Sequence, residues 1–170
     1  RSKIGFVPQN AVLFSGSVLE NIRFGREDAE EKDIVRAAET AQAASFILDM
    51  KEGFSSMIAQ GGRNISGGQK QRISIARAIV RRAKIYIFDD CFSALDYKTE
   101  ARLRSALFKE TKDSTVIIIS QRVSTVKEAD QIIVLEEGKI AGIGTHEELL
   151  DDCAIYREIV SSQFSEEGIA

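Results

Sequence analysis

The chain has 170 residues, 44% of them apolar, which is enough for one domain with a substantial hydrophobic core. Its 23 lysines and arginines against 26 aspartates and glutamates give a formal net charge of −3. This balance argues against a general nucleic-acid-coating role, because such binding depends on net positive charge. The two cysteines are too few for a disulfide framework or a metal cluster, and no apolar run reaches membrane-spanning length.

The first predicted element is an apolar strand from Ile4 to Val7. Pro8 ends it, because proline cannot donate to a sheet ladder, and Gln9 follows directly. Ser17 and Glu20 have the spacing of a capping box, which predicts a short helix beginning after Ser17. Because the chain lacks an initial Met and opens on a strand, we expect it to be part of a longer protein.

A helical period follows from Asp28 to about Met50, with its apolar positions on one face at Ile34, Ala38 and Ala41. The segment that follows contains glycines at 53, 61 and 62, which indicate a loop. Since strands are predicted on both sides, the segment is expected to form a helical insertion.

Ser66 and Gln69 form a second capping box and predict a helix that begins at Gly67. Gly67 and Gly68 leave the backbone N–H groups of the first turn uncovered, where the helix dipole favours negative charge. A lone Gly-Gly pair is more often a turn. In this position it predicts a site for a phosphate-sized anion.

This helix continues along a buried stripe of Ile73, Ala76 and Val80. Its arginines lie off that stripe, and we interpret them as a solvated face rather than a binding patch; they are Arg72, Arg77, Arg81 and Arg82.

Ile85 to Phe88 are four apolar residues that predict a buried parallel strand. Asp89 and Asp90 follow at its carboxyl end, where open α/β sheets bind ligands. Paired aspartates in this position are also common as a solvated helix start.

An amphipathic helix is predicted after Asp96, and its apolar face consists of Ala101, Leu103, Leu107 and Phe108. A buried strand is predicted from Thr115 to Ser120, and Gln121 follows it. A hairpin over residues 132–141 and a third capping box, at Thr145 and Glu148, precede a last helix. His146 is interpreted as a surface residue, and residues 161–170 as a frayed tail.

Taken in this order, the pieces resemble the nucleotide-binding domain of ABC transporters. Ile65–Gln69 is similar to the family's signature motif and Ile85–Asp89 to its Walker B strand. Ser93–Asp96 is similar to the D-loop, and Gln9 after Phe-Val-Pro to the Q-loop.

The resemblance implies an α/β fold of the P-loop NTPase type, mostly a parallel sheet flanked by helices with an inserted helical subdomain. It divides the chain into a Q-loop region (1–27), a helical subdomain with the signature (28–83), a core with Walker B, D-loop and switch loop (84–160), and the tail (161–170). No G-x-x-x-x-G-K-[ST] phosphate loop occurs in the sequence, and in the family this loop precedes the Q-loop. We therefore expect the intact protein to be an ATP hydrolase and this part alone to be inactive.

The implied cofactors are ATP and Mg²⁺, with Asp89 and Gln9 as the metal-contacting side chains. The residues that the resemblance assigns to nucleotide contact are Gln9, Ser66, Gly67, Gly68, Gln69 and Asp96.

Two positions depart from the family's hydrolysing members. Asp90 stands where those members have a glutamate that polarises the attacking water, and Gln121 stands where they have a histidine that holds the γ-phosphate. Aspartate is one methylene shorter, and a misplacement of about 1 Å can lower a rate on the order of a hundredfold. We therefore expect the chain's own site, with Asp90 and Gln121 as its catalytic residues, to bind ATP but hydrolyse it slowly.

The implied partner is a second nucleotide-binding domain, paired head to tail so that each signature completes the other's site. An intact signature beside an impaired own site resembles one half of a heterodimeric exporter of the multidrug or lipid type. Val12, Leu13 and Phe14 are expected to dock on coupling helices of a membrane domain, at the cytoplasmic face of the membrane. No nucleic-acid partner is expected.

Two alternatives remain. One is a slow homodimeric exporter. The other is an ABC ATPase of chromosomes or DNA repair, but in those proteins very long coiled coils separate the Q-loop from the signature, whereas here a short insertion separates Gln9 from Ser66.

Overall fold

The structure is a computed structural model that describes residues 3–167, with side chains described for residues 3–163. The chain divides into two compact units, one ending at Ile119 and the other beginning at Ser120. Each unit has its own hydrophobic cluster. No helix in the described part is long and apolar enough to cross a membrane.

The first unit contains both strands and helices. In chain order they are β1 (Ile4–Val7), β2 (Gly16–Ser17), α1 (Val18–Arg23), α2 (Glu31–Thr40), α3 (Ala44–Leu48), β3 (Met57–Ile58), α4 (Gly67–Ile79), β4 (Ile85–Asp89), α5 (Tyr97–Glu110) and β5 (Thr115–Ile119).

Three of these strands form a parallel sheet in the order β1-β4-β5. Ile4 pairs with Ile85, and Ile85 pairs with Thr115. Because β1 and β4 run in the same direction, Asp89 at the end of β4 and Gln9 shortly after β1 lie at the same edge of the sheet. The predicted α/β class and parallel sheet are confirmed.

The prediction that β5 is buried is wrong. In the described structure β5 is an edge strand, and Ile117 and Ile119 are 46% and 50% exposed. Its β-branched residues fit a strand, but composition alone does not tell a central strand from an edge strand. Phe108, expected on the apolar face of α5, is also mostly exposed, whereas Leu103 and Leu107 are buried.

The helical segment after Asp28 forms two helices, and its predicted apolar face is confirmed, since Ile34, Ala38 and Ala41 are buried. Helix α2 packs against α4, which places the signature helix between the inserted segment and the sheet. Most side chains in the middle turns of helix α4 are buried in the core.

The second unit contains α6 (Val123–Val126), β6 (Ile132–Glu136), β7 (Lys139–Gly144), α7 (His146–Asp152) and α8 (Ala154–Glu167). The predicted hairpin forms, and its turn at Glu137 and Gly138 has positive φ at both residues, as a tight hairpin requires. The capping box of Thr145 and Glu148 is present.

His146 is not a simple surface residue. It is half-buried, and its Nδ1 lies 2.8 Å from the hydroxyl of the buried Tyr156. The predicted frayed tail is helical as far as Glu167, and residues 168–170 lie outside the described part of the chain.

Candidate functional site

The signature turn is built by local hydrogen bonds. Gln69 N–H donates to Ser66 Oγ at 3.2 Å, and Ser66 N–H donates to Gln69 Oε1 at 2.9 Å. The capping box predicted from the sequence is therefore present, and α4 begins at Gly67 as expected. Both Ser66 and Gly67 are exposed, so the amino end of α4 is open to a ligand.

The two glycines of this turn differ in their surroundings. A Cβ on Gly67 would meet nothing within 4 Å, whereas a Cβ on Gly68 would lie 3.1 Å from the carbonyl oxygen of Ala94. Gly68 thus permits the signature helix to approach the D-loop backbone closely. Gly67 leaves open space in front of the helix N-terminus, where backbone N–H groups and the helix dipole favour an anion.

Asp96 is the N-cap of α5, and its Oδ1 accepts a 2.9 Å hydrogen bond from Thr99 N–H. Hydrogen bonds with the side chain and backbone of Thr99 lower the pKa of Asp96. The exposed carboxylate is therefore held at the end of the D-loop, beside the signature helix.

Arg72 is one of two arginines of α4 for which the predicted solvated face is wrong. Its guanidinium donates to the carbonyl of Gln42 at 2.7 Å and lies 4.6 Å from the ring centroid of Phe46. Burial lowers the pKa of Arg72, and the charge of Asp96 opposes that shift. Arg72 thus joins the first turns of the signature helix to the inserted helical segment.

Gln9 and Asp90 meet at the carboxyl edge of the sheet. Gln9 Nε2 donates to Asp90 Oδ2 at 3.2 Å. The Asp90 backbone is fixed on both sides, since its N–H donates to Ile119 O at 2.8 Å and its carbonyl accepts from Ser93 Oγ at 2.9 Å. Asp90 has φ of 40°, a left-handed conformation that aspartate tolerates better than most residues.

The residues at this edge suit Mg²⁺, although within residues 3–163 no three acidic, histidine or cysteine side chains form a cluster that could hold a metal by themselves. Magnesium in nucleotide sites is held by one or two carboxylates together with substrate phosphates, so a single aspartate such as Asp89 is an adequate protein ligand. Because the Gln9 nitrogen contacts Asp90, its amide oxygen is the atom suited to face a cation.

Gln121 belongs to the second unit, where its side chain is exposed. Its carbonyl accepts from Gln163 Nε2 at 2.6 Å, and Gln163 Oε1 accepts from Val123 N–H at 2.8 Å. The amide of Gln163, on α8, therefore hydrogen-bonds to the backbone on both sides of Arg122. No local sequence pattern indicates this contact, which spans about forty residues.

The segment after the Q-loop has an exposed apolar surface, but its composition differs from the prediction. Val12 and Phe14 are 59% and 46% exposed, whereas Leu13 is buried. Phe24, which was not predicted, is 63% exposed, and its ring lies 4.7 Å from that of Phe14. We call Val12, Phe14 and Phe24 the apolar patch.

Arg77 lies beneath the apolar patch and is the second arginine of α4 that was wrongly predicted to be solvated. It donates to Val12 O at 2.9 Å, to Asn21 O at 2.8 Å and to Asn21 Oδ1 at 2.9 Å. Its guanidinium also lies 5.0 Å from the Phe14 ring centroid. Burial lowers the pKa of Arg77 to about 10, so the side chain stays charged at neutral pH.

We expect Arg77→Met to destabilise the protein by about 2 kcal/mol, because it removes the donor to the part-buried Asn21 carbonyl oxygen and one of the two donors to Asn21 Oδ1. The matched control is Arg36→Met. Arg36 forms an ion pair with Glu110 at 2.8 Å but is 65% exposed, so its loss should change stability by less than about 1 kcal/mol. The measurement is the temperature at which the intact protein loses ATPase activity. Equal shifts in the two variants would contradict the assignment of Arg77.

Comparisons with known proteins show the family of the chain. The family model described as ABC transporter matches residues 1–93, which is more than half of the chain. The chain belongs to the ABC transporter family. It therefore belongs to a family of ATPases, and its α/β fold is that of the family's ATP-binding domain.

Among the relatives, an ABC transporter ATP-binding protein of Mycobacterium bovis is 47% identical over 165 residues, covering 95% of this chain and 28% of the relative. The protein YfiB of Bacillus subtilis is 47% identical over 168 residues, covering 99% of this chain and 29% of that protein. A solved bacterial Atm1-family ABC exporter with ATP bound superposes with a TM-score of 0.92 at 36% identity, over 96% of this chain and 28% of the exporter. The chain thus spans less than a third of the length of these relatives.

Proposed function

We propose that this chain is the signature-bearing part of the nucleotide-binding domain of an ABC exporter, where it couples ATP binding and hydrolysis to transport. The observation that carries the proposal is the open signature turn, in which an exposed helix N-terminus and the unobstructed Gly67 face outward. That arrangement suits the terminal phosphate of an ATP held by another domain.

The chain's own site uses Gln9, Asp89 and Asp90, and the resemblance to the family assigns Gln121 to the γ-phosphate contact. Asp89 and the Gln9 amide oxygen would hold Mg²⁺, which would supply positive charge that neutralises the phosphates. Asp90 orients the attacking water, but its carboxylate is one methylene shorter than the family's glutamate. Gln121 donates a hydrogen bond to the γ-phosphate but cannot carry a proton or a charge. The own site therefore hydrolyses ATP slowly.

The partner is a second, different nucleotide-binding domain. It contributes the competent site. The signature turn of this chain completes that site around the bound ATP, through Ser66, Gly67, Gly68 and Gln69, with Asp96 at the adjoining D-loop. The support is the contrast within this chain between an intact signature turn and the two substitutions at Asp90 and Gln121.

The apolar patch docks on the coupling helices of a membrane domain at the cytoplasmic face of the membrane. Exposed aromatic side chains held by the half-buried Arg77 form a preorganised apolar contact surface, and preorganisation favours association.

The test is to tag the intact protein in its own cells, purify it from membranes and identify the ABC chain that accompanies it. We expect a second, distinct ABC chain in equal amount and Mg²⁺-dependent ATP hydrolysis by the pair. Purification with untagged copies of the same chain alone would contradict the heterodimer and favour a slow homodimer. Absence of ATP hydrolysis from the intact assembly would contradict the proposed function itself.

A further inference from the structure

Gln71 is a buried polar residue in the second turn of the signature helix. Its side chain is 3% exposed, and its Nε2 donates to the carbonyl oxygen of Pro8 at 3.1 Å. The same side chain interacts with the thiol of Cys91, which is 1% exposed. The amide thus connects α4 with two segments that are distant from it in sequence.

Both of these segments lead directly to the candidate own site. Pro8 immediately precedes Gln9, and Cys91 immediately follows Asp90, while Gln9 and Asp90 hydrogen-bond to each other at 3.2 Å. A displacement of Gln9 or Asp90 therefore changes the positions of the groups that the Gln71 amide contacts. Because a buried amide without partners is unfavourable, Gln71 follows such a displacement.

The signature turn lies one helical turn away from Gln71 on the same rigid element. Gly67 is four residues before Gln71, a rise of about 6 Å along a continuous α-helix. Because the helix is rigid, a displacement of Gln71 moves the open N-terminus of α4 by a similar distance.

We propose that Gln71 is a positioning residue that couples the chain's own ATP site to its signature turn, and so to the ATP site of the partner domain. This inference rests on the proposed function, because the two sites it connects are those of a head-to-tail pair. Nucleotide that binds at the own site contacts Gln9 and Asp90 and shifts them. Gln71 follows that shift through its contacts with Pro8 and Cys91. The shift of α4 then aligns the signature turn with the partner's nucleotide. Coupling of this kind makes hydrolysis depend cooperatively on ATP concentration.

The test uses the intact transporter with its partner and measures ATPase rate against Mg-ATP concentration. Gln71→Met keeps the length of the side chain and fills the same space, but it removes the amide. We expect a Hill coefficient above one in the parent and about one in Gln71→Met. A loss of active protein would scale the whole curve without changing its shape, so the shape separates coupling from folding.

Ile73→Val is the matched control, since it trims a buried side chain of the same helix and leaves the amide in place. It should keep the parent's Hill coefficient. If Gln71→Met does not fold, Cys91→Ala removes one of the two contacts, and its Hill coefficient should lie between those of the parent and a non-cooperative enzyme.

A non-cooperative parent, or an unchanged curve shape in every variant that folds, would overturn the proposal. A parent without any ATP hydrolysis would instead contradict the proposed function.

Discussion

Replacing Gly67 with aspartate is expected to lower ATP turnover at the partner's site by at least about 100-fold, while the protein stays folded. A carboxylate at this position occupies the space in front of the helix N-terminus and repels the terminal phosphate of ATP. The structure explains why the fold should survive, because a Cβ at Gly67 meets nothing within 4 Å. An acidic residue in the first turn also interacts favourably with the helix dipole.

The controls for this variant separate charge from size. Gly67→Asn has nearly the same shape as Gly67→Asp without the charge, and Gly67→Ala adds only the Cβ. We expect turnover to fall least in Gly67→Ala and most in Gly67→Asp, measured in the intact complex at saturating Mg-ATP. Parental turnover in Gly67→Asp, together with an unchanged melting temperature, would show that the glycine serves only the turn.

Asp90→Glu is expected to raise hydrolysis at the chain's own site on the order of 100-fold, because the added methylene brings the carboxylate within reach of the attacking water. Gln121→His restores a phosphate contact and should have little effect alone. Because we propose that both groups act on one transition state, we expect the double variant to give the largest and a non-additive increase.

The experiment is single-turnover hydrolysis after the partner's competent site has been silenced. Asp90→Asn, which has the parent's length but no charge, is the control and should not raise the rate. If Asp90→Glu, Gln121→His and the double variant all stay as slow as the parent, the cause of slow turnover lies in the partner's signature rather than in these two residues.

The left-handed backbone at Asp90 adds a stability effect to the same variant. Glutamate is less well accommodated than aspartate at φ of 40°, so Asp90→Glu should be less stable than the parent by about 1 kcal/mol. A rise in activity together with a small fall in melting temperature is therefore the expected combination.

The features that depend on residues a few positions apart could be predicted from the amino-acid sequence alone. The capping boxes at Ser17, Ser66 and Thr145 are present because each is formed between a residue and the one three positions later. The parallel strand before Asp89 and the hairpin turn at Gly138 were equally predictable, since apolar runs and positive-φ glycines act locally.

The order of the motifs along the chain also identified the family, because the signature, the D-loop and the two aspartates each keep a recognisable local pattern. Residue roles at the own site remain predictions, since they come from that resemblance. The contact of Gln9 with Asp90 adds geometric support for a shared site.

Which polar and apolar side chains are buried could not be predicted, because burial depends on contacts between segments that are distant in sequence. Arg77 reaches partners 56 and 65 residues away, and Gln71 reaches Pro8 across 63 residues. Helical periodicity assigns a face to each residue but not the segment that covers that face, so Arg77 was mistaken for a solvated residue. Leu13 and β5 were misjudged for the same reason, because the burial of an apolar residue depends on which distant segment packs against it.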